Sequence, residues 1–507
     1  MSKNLFVGVD GKARKAKEFY IGVDGKARKI AKAYIGDENG KARLFWEKEN
    51  TSVDYLEFVS NNSFTMSATK LWDGTIEYNN SNGNGWTTWN GSEISSNVID
   101  GRQRIYFRGS RNTVIRGFDG SISNAWKITG SNVECNGNIE CLLDYQKVAA
   151  GEHPEMGKNC YNYMFSHCSS LITAPQLPAT ILAKSCYYGM FYDCSSLTTA
   201  PQLPATTLES ACYGYMFSGC SSLTTTPQLP ATTLAESCYS GMFNGCSSLT
   251  TPPQLSATTL AKYCYDSMFK ACSSLRTTPQ LPATTLAEYC YYMMFRNCSS
   301  LRTTPELPAT ILAKNCYSNM FSNCSSLRTT PELPATTLAE GCYSNMFSGC
   351  SSLTTAPALP ATTLAASCYY SMFYNCYLTT TPELPATTLA NDCYHGMFSN
   401  CGRLTTATAL PATTLAPNCY ANMFTYCNKL TTVPALPATT LAMSCYVQMF
   451  FGAISISNTQ SEDYPTPYRI PITGEGTKEN GSTSNMFNIT PNINTTYYLP
   501  KGISIIS

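Results

Sequence analysis

A chain of 507 residues has room for two to four ordinary domains, or for one long repeat array with appendages. Its 34 Lys+Arg against 33 Asp+Glu leave a formal net charge of +1, which excludes a global field that draws in nucleic acid or an anionic membrane. Only 13% of residues are charged while Tyr reaches 33 and Cys 25, a balance that suits a stacked architecture better than a disordered one.

No run of eighteen apolar residues is present, so neither a transmembrane helix nor membrane insertion is expected. Residues 1–11 lack an apolar h-region and a small-residue cleavage site, and residues 502–507 lack a wall-anchoring pattern. Folding in a reducing cytoplasm is the expectation.

Residues 1–50 carry their own short repeat. Phe6-Val-Gly-Val-Asp-Gly-Lys-Ala-Arg14 recurs from Tyr20 to Arg28 and, one residue longer, from Tyr34 to Arg43. A 14-residue step is too short for a helix pair. Asp-Gly or Asn-Gly between short flanks signals a hairpin turn, whose central positions need φ > 0. Three β-hairpins follow. The segment holds 12 Lys/Arg against 7 Asp/Glu, which reads either as a solvated sheet face or as a docking surface. For the second reading, Lys12, Arg14, Lys26, Arg28, Lys41 and Arg43 are the candidate attachment residues.

Residues 51–150 read as a β-rich, sandwich-like domain, with strand-like runs at 54–59 and 104–108 separated by Asn/Gly/Ser turns. Trp72, Trp86, Trp89 and Trp126 are read as core anchors rather than ligand platforms. Cys135 and Cys141, on either side of Asn136-Gly137, are read as free thiols.

Residues 151–452 form an array of twelve copies, and 453–507 a C-terminal cap. A unit of 26 residues recurs from Cys160 to Cys445, with one 25-residue copy where Cys376-Tyr-Leu378 has lost a residue. In the last copy Ala453 stands where the second Cys belongs, and a remnant survives at Asn485-Met-Phe487; atypical end copies are what a stack needs to close its open core. Within one copy Leu234, Ala235, Cys238, Tyr239, Met242, Phe243 and Cys246 make a broad apolar stripe that predicts a helix. Thr233 and Glu236 are placed as its capping box. Residues 249–255 alternate with period two, predicting a short strand with Leu249, Thr251, Pro253 and Leu255 facing inward. Proline recurs there as Pro175, Pro201, Pro227 and Pro253, and proline cannot donate to a ladder, so only two or three paired residues per strand are expected. The fold class is therefore an α/β leucine-rich-repeat solenoid, with short parallel strands on one face and helices on the other. At ~4.8 Å per strand twelve turns make a rod roughly 55–60 Å long.

The repeated Met-Phe-x-x-Cys-Ser-Ser-Leu-Thr-x-x-Pro-x-Leu-Pro resembles the BspA-type branch of the leucine-rich-repeat family, found in bacterial surface proteins and bacteriophage proteins. The Val7-to-Arg14 hairpin motif resembles the N-termini of structural proteins from phages of gut bacteria. These resemblances imply a virion protein carrying a recognition rod; they bring no catalytic residue and no cofactor.

The array cysteines recur as Cys-x7-Cys, for example Cys212/Cys220. On a helix that spacing is about 12 Å, beyond disulfide reach, and it is not the Cys-x2–4-Cys of zinc sites. Packing as small hydrophobes is the reading taken, with disulfides or a metal between stacked turns as the alternative. His153, His167 and His395 neighbour no obvious acid or nucleophile in the sequence. No nucleophile elbow, His-Glu-x-x-His, P-loop or dinucleotide motif occurs, so neither an enzyme nor a resident metal is expected. The sequon at Asn90 carries no weight without a secretory route.

Variation between copies is the remaining signal. Arg276, Arg302 and Arg328 share one outward column where most copies carry Thr, and Glu306 and Glu332 lie two outward positions further on. These form either a cross-strand ion-pair ladder or an Arg-lined strip for acidic or hydroxyl-rich glycans. A second set, Tyr163, Tyr188, Tyr192, Tyr215, Tyr292, Tyr370 and Tyr374, offers rigid amphipathic contacts or fills space between neighbouring units. Three functions stand. The first is a phage tail-fibre or receptor-binding adhesin that binds a host glycan or protein through the rod and other virion proteins through the hairpins. The second is a bacterial surface adhesin. The third is an architectural capsid or tail decoration. Localisation follows the choice, virion or bacterial cell surface; a homo-oligomer is left open.

Overall fold

A computed structural model describes residues 53–81, 85–118, 126–431, 433–434, 436–438, 440–456, 482 and 485–486, together with the backbone of six earlier strands. Those strands pair antiparallel as three hairpins: β1 (Phe6–Val9) with β2 (Lys12–Lys15), β3 (Phe19–Val23) with β4 (Lys26–Ile30), and β5 (Lys32–Gly36) with β6 (Ala42–Glu47). Val9 faces Lys12 and Val23 faces Lys26, so two residues separate the strands of the first two hairpins.

Two sheets follow. Their strands are β7 (Leu56–Ser60), β8 (Thr65–Ala68), β9 (Thr75–Asn79), β10 (Thr87–Thr88), β11 (Ile94–Ser95), β12 (Asn97–Ile99), β13 (Arg102–Ser110), β14 (Trp126–Thr129) and β15 (Val133–Asn136). After helix α1 (Cys141–Ala149), broken by an extended residue at Asp144, comes β16 (Leu171–Thr173) inside the first repeat. The larger sheet runs β10-β9-β13-β7-β15-β16, with β12 also on β13; the smaller runs β11-β8-β14. β13 alternates buried and half-buried residues, so Ile105 and Phe107 go to the core. Trp89, Phe107 and Trp126 meet there with ring centroids 4.9–5.3 Å apart. Trp72 and Trp89 stack at 5.5 Å, but Trp86 is half-buried, with the Arg108 guanidinium 4.3 Å over its ring. Phe58 and Trp126 both touch Phe165 of the first repeat, and β15 pairs in parallel with β16. The sheet core thus runs without a break into the interior of the array.

No copy of the repeat contains an α-helix among the described residues; residues 234–246 and their equivalents form a tight coil of successive turns. The expected helices, and the capping role of Thr233 and Glu236, are therefore corrected. Alternate amides do different work. Cys238, Ser240, Met242, Asn244 and Cys246 donate three residues back within the coil. Ser237, Tyr239, Gly241, Phe243 and Gly245 donate across to Lys262, Cys264, Asp266, Met268 and Lys270 of the next coil at 2.7–3.1 Å. A helix would keep all these donors to itself; this coil uses half of them to bind its neighbour. The geometry requires a left-handed residue every fourth position, and Ser237, Gly241 and Gly245 have φ of 56°, 59° and 76°. A Cβ added at Gly241 would lie 2.4 Å from the Tyr215 ring.

The period of four puts Cys238, Met242 and Cys246 at 0% exposure, with Tyr239 and Phe243 beside them at 1% and 0%. Copy after copy, these build two aromatic ladders: Phe217, Phe243 and Phe269 stack at 5.8 and 5.7 Å, and Tyr213, Tyr239 and Tyr265 at 6.0 and 5.9 Å. Beyond each coil the chain runs extended. Leu249, Pro253 and Leu255 are buried as expected, with Ala257, while Gln254, Ser256 and Thr258 are exposed; Thr251, expected inward, is exposed and is the exception to that parity. The expected parallel strands shrink to single bridges such as Leu229↔Leu255 and Thr233↔Thr259, because the proline that recurs in most copies has no amide to donate; where Thr408 replaces it, the amide donates to Thr381 Oγ1 at 2.8 Å. At the far end Tyr446 N donates to Ser482 O and Phe450 N to Met486 O, both at 2.9 Å. The remnant motif thereby supplies the backbone acceptors that a further coil would offer, and Met486 is 2% exposed.

Candidate functional site

With the interior occupied by invariant columns, what varies lies outside. Arg276, Arg302 and Arg328 are all exposed. Their coils are held in step by backbone bonds in that column, Arg276 N to Thr250 O at 3.3 Å and Arg328 N to Arg302 O at 3.2 Å. No acidic group among the described residues lies within 4.0 Å of any of the three side chains. Glu306 and Glu332 are exposed as well and edge a groove of about 600 Å³ whose walls include Thr303, Thr304, Thr329 and Thr330. The arginines lie outside that groove, whose lining also includes Pro305, Leu307, Pro308, Pro331 and Pro334; along each copy the order is Arg, two Thr, then Glu, and the expected Arg–Glu ladder is absent among the described residues.

Ion pairing occurs in a column that sequence reasoning missed. Two residues ahead of each first Cys, Glu236, Lys262, Glu288, Lys314 and Glu340 alternate in sign from copy to copy. Lys262 Nζ lies 2.8 Å from Glu288 Oε2, and Lys314 Nζ lies 2.7 Å from Glu340 Oε1. The Lys262 ammonium holds the Glu288 carboxyl below its ordinary range. Reading that column down the copies would have exposed the alternation.

The tyrosines divide. Tyr188 sits between Tyr163 and Tyr215 with centroids at 5.5 and 5.6 Å, and Tyr192 rests on Tyr163 and His167 at 6.0 and 5.6 Å. All are half-buried apart from exposed His167; these tyrosines fill space between coils. Tyr370 stacks on His395 at 4.8 Å, whereas Tyr374 is 43% exposed. Beside Tyr374, in the one shortened copy, Tyr377 lies under the Arg403 guanidinium at 4.4 Å, a pair the sequence reading did not single out. Lys12, Arg14, Lys26, Arg28 and Arg43 fall on hairpin strands; their side chains, and Lys41, lie outside the described residues.

Each histidine does meet an acid, correcting the sequence reading: His153 Nδ1 is 2.8 Å from Glu140, His167 Nδ1 is 3.3 Å from Asp193, and His395 Nδ1 is 3.6 Å from Asp392. Glu140 is buried, which pushes its carboxyl up, with His153 opposing. Burial lowers the His395 imidazole. All 25 cysteines are buried and free. The second Cys of a copy donates its thiol to the Phe carbonyl of the copy before, as Cys246 Sγ to Phe217 O at 3.2 Å and Cys272 Sγ to Phe243 O at 3.1 Å. Burial pushes the thiols of Cys212, Cys264 and Cys316 up to about 12, the state of packed hydrophobes rather than nucleophiles.

No curated protein and no solved structure matches the chain. The family model of the BspA type leucine rich repeat region (6 copies) matches residues 148–276, 188–328, 265–397 and 314–449. These overlapping windows span 148–449, more than half of the sequence and every coil that carries the strip and the ion-pair column. With its stacked, 26-residue copies each contributing one Leu-rich turn to a shared interior, this chain belongs to the BspA-type leucine-rich-repeat family.

Proposed function

We propose that this chain is a surface-type recognition protein, an adhesin that binds through the outer face of its stack and performs no chemistry. The observation that carries the reading is a division of labour between columns. Cys, Tyr, Met, Phe and Leu recur inside the stack up to the last copy, while the exposed Arg276–Arg302–Arg328 row departs from the repeat in three consecutive copies. Packing does not ask for those arginines, since most other copies hold the same column with Thr. For its setting we propose a phage virion, as a tail-fibre or receptor-binding component attached through the hairpins of residues 1–50. That part is supported by the likeness of the Val7-to-Arg14 motif to structural proteins of gut phages.

The test uses the purified full chain, fluorescently labelled, on intact cells of several gut bacteria, with antibody-gold labelling of particles from a lysate of the source culture. Saturable binding to some strains, with gold on particles, is the expected result. Saturable binding with gold on the cell envelope instead would replace the virion by a bacterial surface. Labelled particles with no cell binding would overturn the adhesin reading in favour of an architectural decoration.

A further inference from the structure

We infer that the coils bearing Arg276, Arg302 and Arg328 bind a linear acidic polysaccharide running along the stack axis, which rests on the recognition reading above and names its ligand class. Like charges in register at a coil step of ~4.8 Å disfavour one another. The same coils show that the chain can avoid this: Glu236, Lys262, Glu288, Lys314 and Glu340 alternate in sign, and Lys262–Glu288 and Lys314–Glu340 pair. The arginine row a short way along the same copies does the opposite. It is uniform, exposed and without an acid within 4.0 Å among the described residues. Such a row is completed by carboxylates supplied from outside, which guanidinium forks grip in bidentate fashion.

The surroundings select the polymer. Each arginine is followed by two threonines, Thr277 and Thr278, Thr303 and Thr304, Thr329 and Thr330, the first exposed and the second half-buried. Beyond them stand Glu306 and Glu332, at most ~13 Å of extended chain from Arg302 and Arg328. A groove of about 600 Å³ begins at Thr303 and Thr329, next to Arg302 and Arg328, and runs past Glu306 and Glu332 to Pro308 and Pro334. Each residue of a polysaccharide of uronic-acid type carries one carboxylate and several hydroxyls. Its carboxylates meet the arginines, its ring hydroxyls exchange hydrogen bonds with the threonines, and the remaining hydroxyls donate to the glutamates. A polymer charged on every side, such as polyphosphate or single-stranded DNA, would press anions against Glu306 and Glu332.

The experiment measures binding of the full chain to immobilised polygalacturonate, with hyaluronate, dextran, polyphosphate and single-stranded DNA as comparators. Polygalacturonate is expected to bind best, with affinity falling as salt rises, and dextran not at all. The triple variant Arg276→Gln/Arg302→Gln/Arg328→Gln, all exposed sites, is expected to lose at least tenfold in affinity with an unchanged denaturation midpoint. Lys262→Gln/Lys314→Gln removes two cations from the same coils and is expected to leave affinity unchanged. Glu306→Gln/Glu332→Gln is expected to raise polyphosphate binding. Equal binding by the triple variant, or polyphosphate or DNA binding as tight as polygalacturonate, overturns the inference. If the unaltered chain binds cells but no acidic glycan, the ligand assignment fails alone; if it binds neither, the recognition reading fails with it.

Discussion

Replacing Ala271 and Ala211 by glycine separates a coil of turns from a helix by the sign of the stability change. Both alanines sit in the left-handed region, with φ of 59° and 55°. There the Cβ crowds the following carbonyl at a cost of ~1–2 kcal/mol. Glycine removes that crowding but loosens the unfolded chain, a counter-effect of ~0.4–1 kcal/mol. The net is a stabilisation of about 0.5–1 kcal/mol per site. In a helix the same substitution would destabilise by ~0.5–1 kcal/mol, so the two geometries predict opposite signs. Glycine already fills these columns elsewhere, as Gly219, Gly245 and Gly349 for Ala271 and Gly341 for Ala211. The two sites lie in coils that are not adjacent, so their effects should add. Long arrays do not unfold in one step, which makes native-state amide exchange the suitable assay, read at the amides of Met268 and Cys272 and supported by urea midpoints. Exchange slowed several-fold and a raised midpoint are expected. Faster exchange in Ala271→Gly, with a lowered midpoint, would refute the left-handed coil.

Two further outcomes follow from the interior. Phe295 is 0% exposed and stacked at 5.6 Å on both Phe269 and Phe321, so Phe295→Ala should cost ~3–5 kcal/mol and speed exchange in the coils on either side, whereas exposed Thr303→Ala should stay within about 0.5 kcal/mol. The 25 buried thiols should resist a disulfide reagent at pH 8 until denaturant is added, and then react together. Their titration also sets an alkaline limit. Folding raises thiols such as Cys212 and Cys316 from 9.0 to about 12, so stability is full below pH 9, where both states are protonated. It falls between 9 and 12, as the unfolded chain ionises and the folded one does not, by ~1.4 kcal/mol per pH unit for each thiol. A handful of thiols is enough to outweigh a typical stability of ~5–15 kcal/mol. A steep fall in melting temperature just above pH 9 is expected, and a flat profile from pH 8 to 11 would contradict the buried thiol columns.

By itself the sequence determined the copy boundaries and which apolar columns face inward, because burial favours apolar side chains and those columns hardly change between copies; the column of Thr251, expected inward, turned out exposed. It also determined the weakness of the strands, since a proline recurs where a donor is needed. The local path of the apolar stripe was harder to read. Residues at i, i+1, i+4 and i+5 suit a helix over one turn, yet a helix drifts about 40° per four residues. The strict recurrence at Leu234, Cys238, Met242 and Cys246 is a period of four. Gly, Asn and Asp gathering at every fourth position, as at Asn315, Asn319 and Asn323, pointed the same way, because these residues enter the left-handed region most readily. Which amides turn inward and which cross to the next coil was decided only by stacking, because the acceptor of Phe243, the carbonyl of Met268, comes into reach only when two copies pack. The same holds for the charges. Lys262 finds Glu288, and Arg302 finds no acid among the described residues, because the stack brings one column's opposite signs together and leaves the other's like signs side by side, a difference of geometry that composition does not contain.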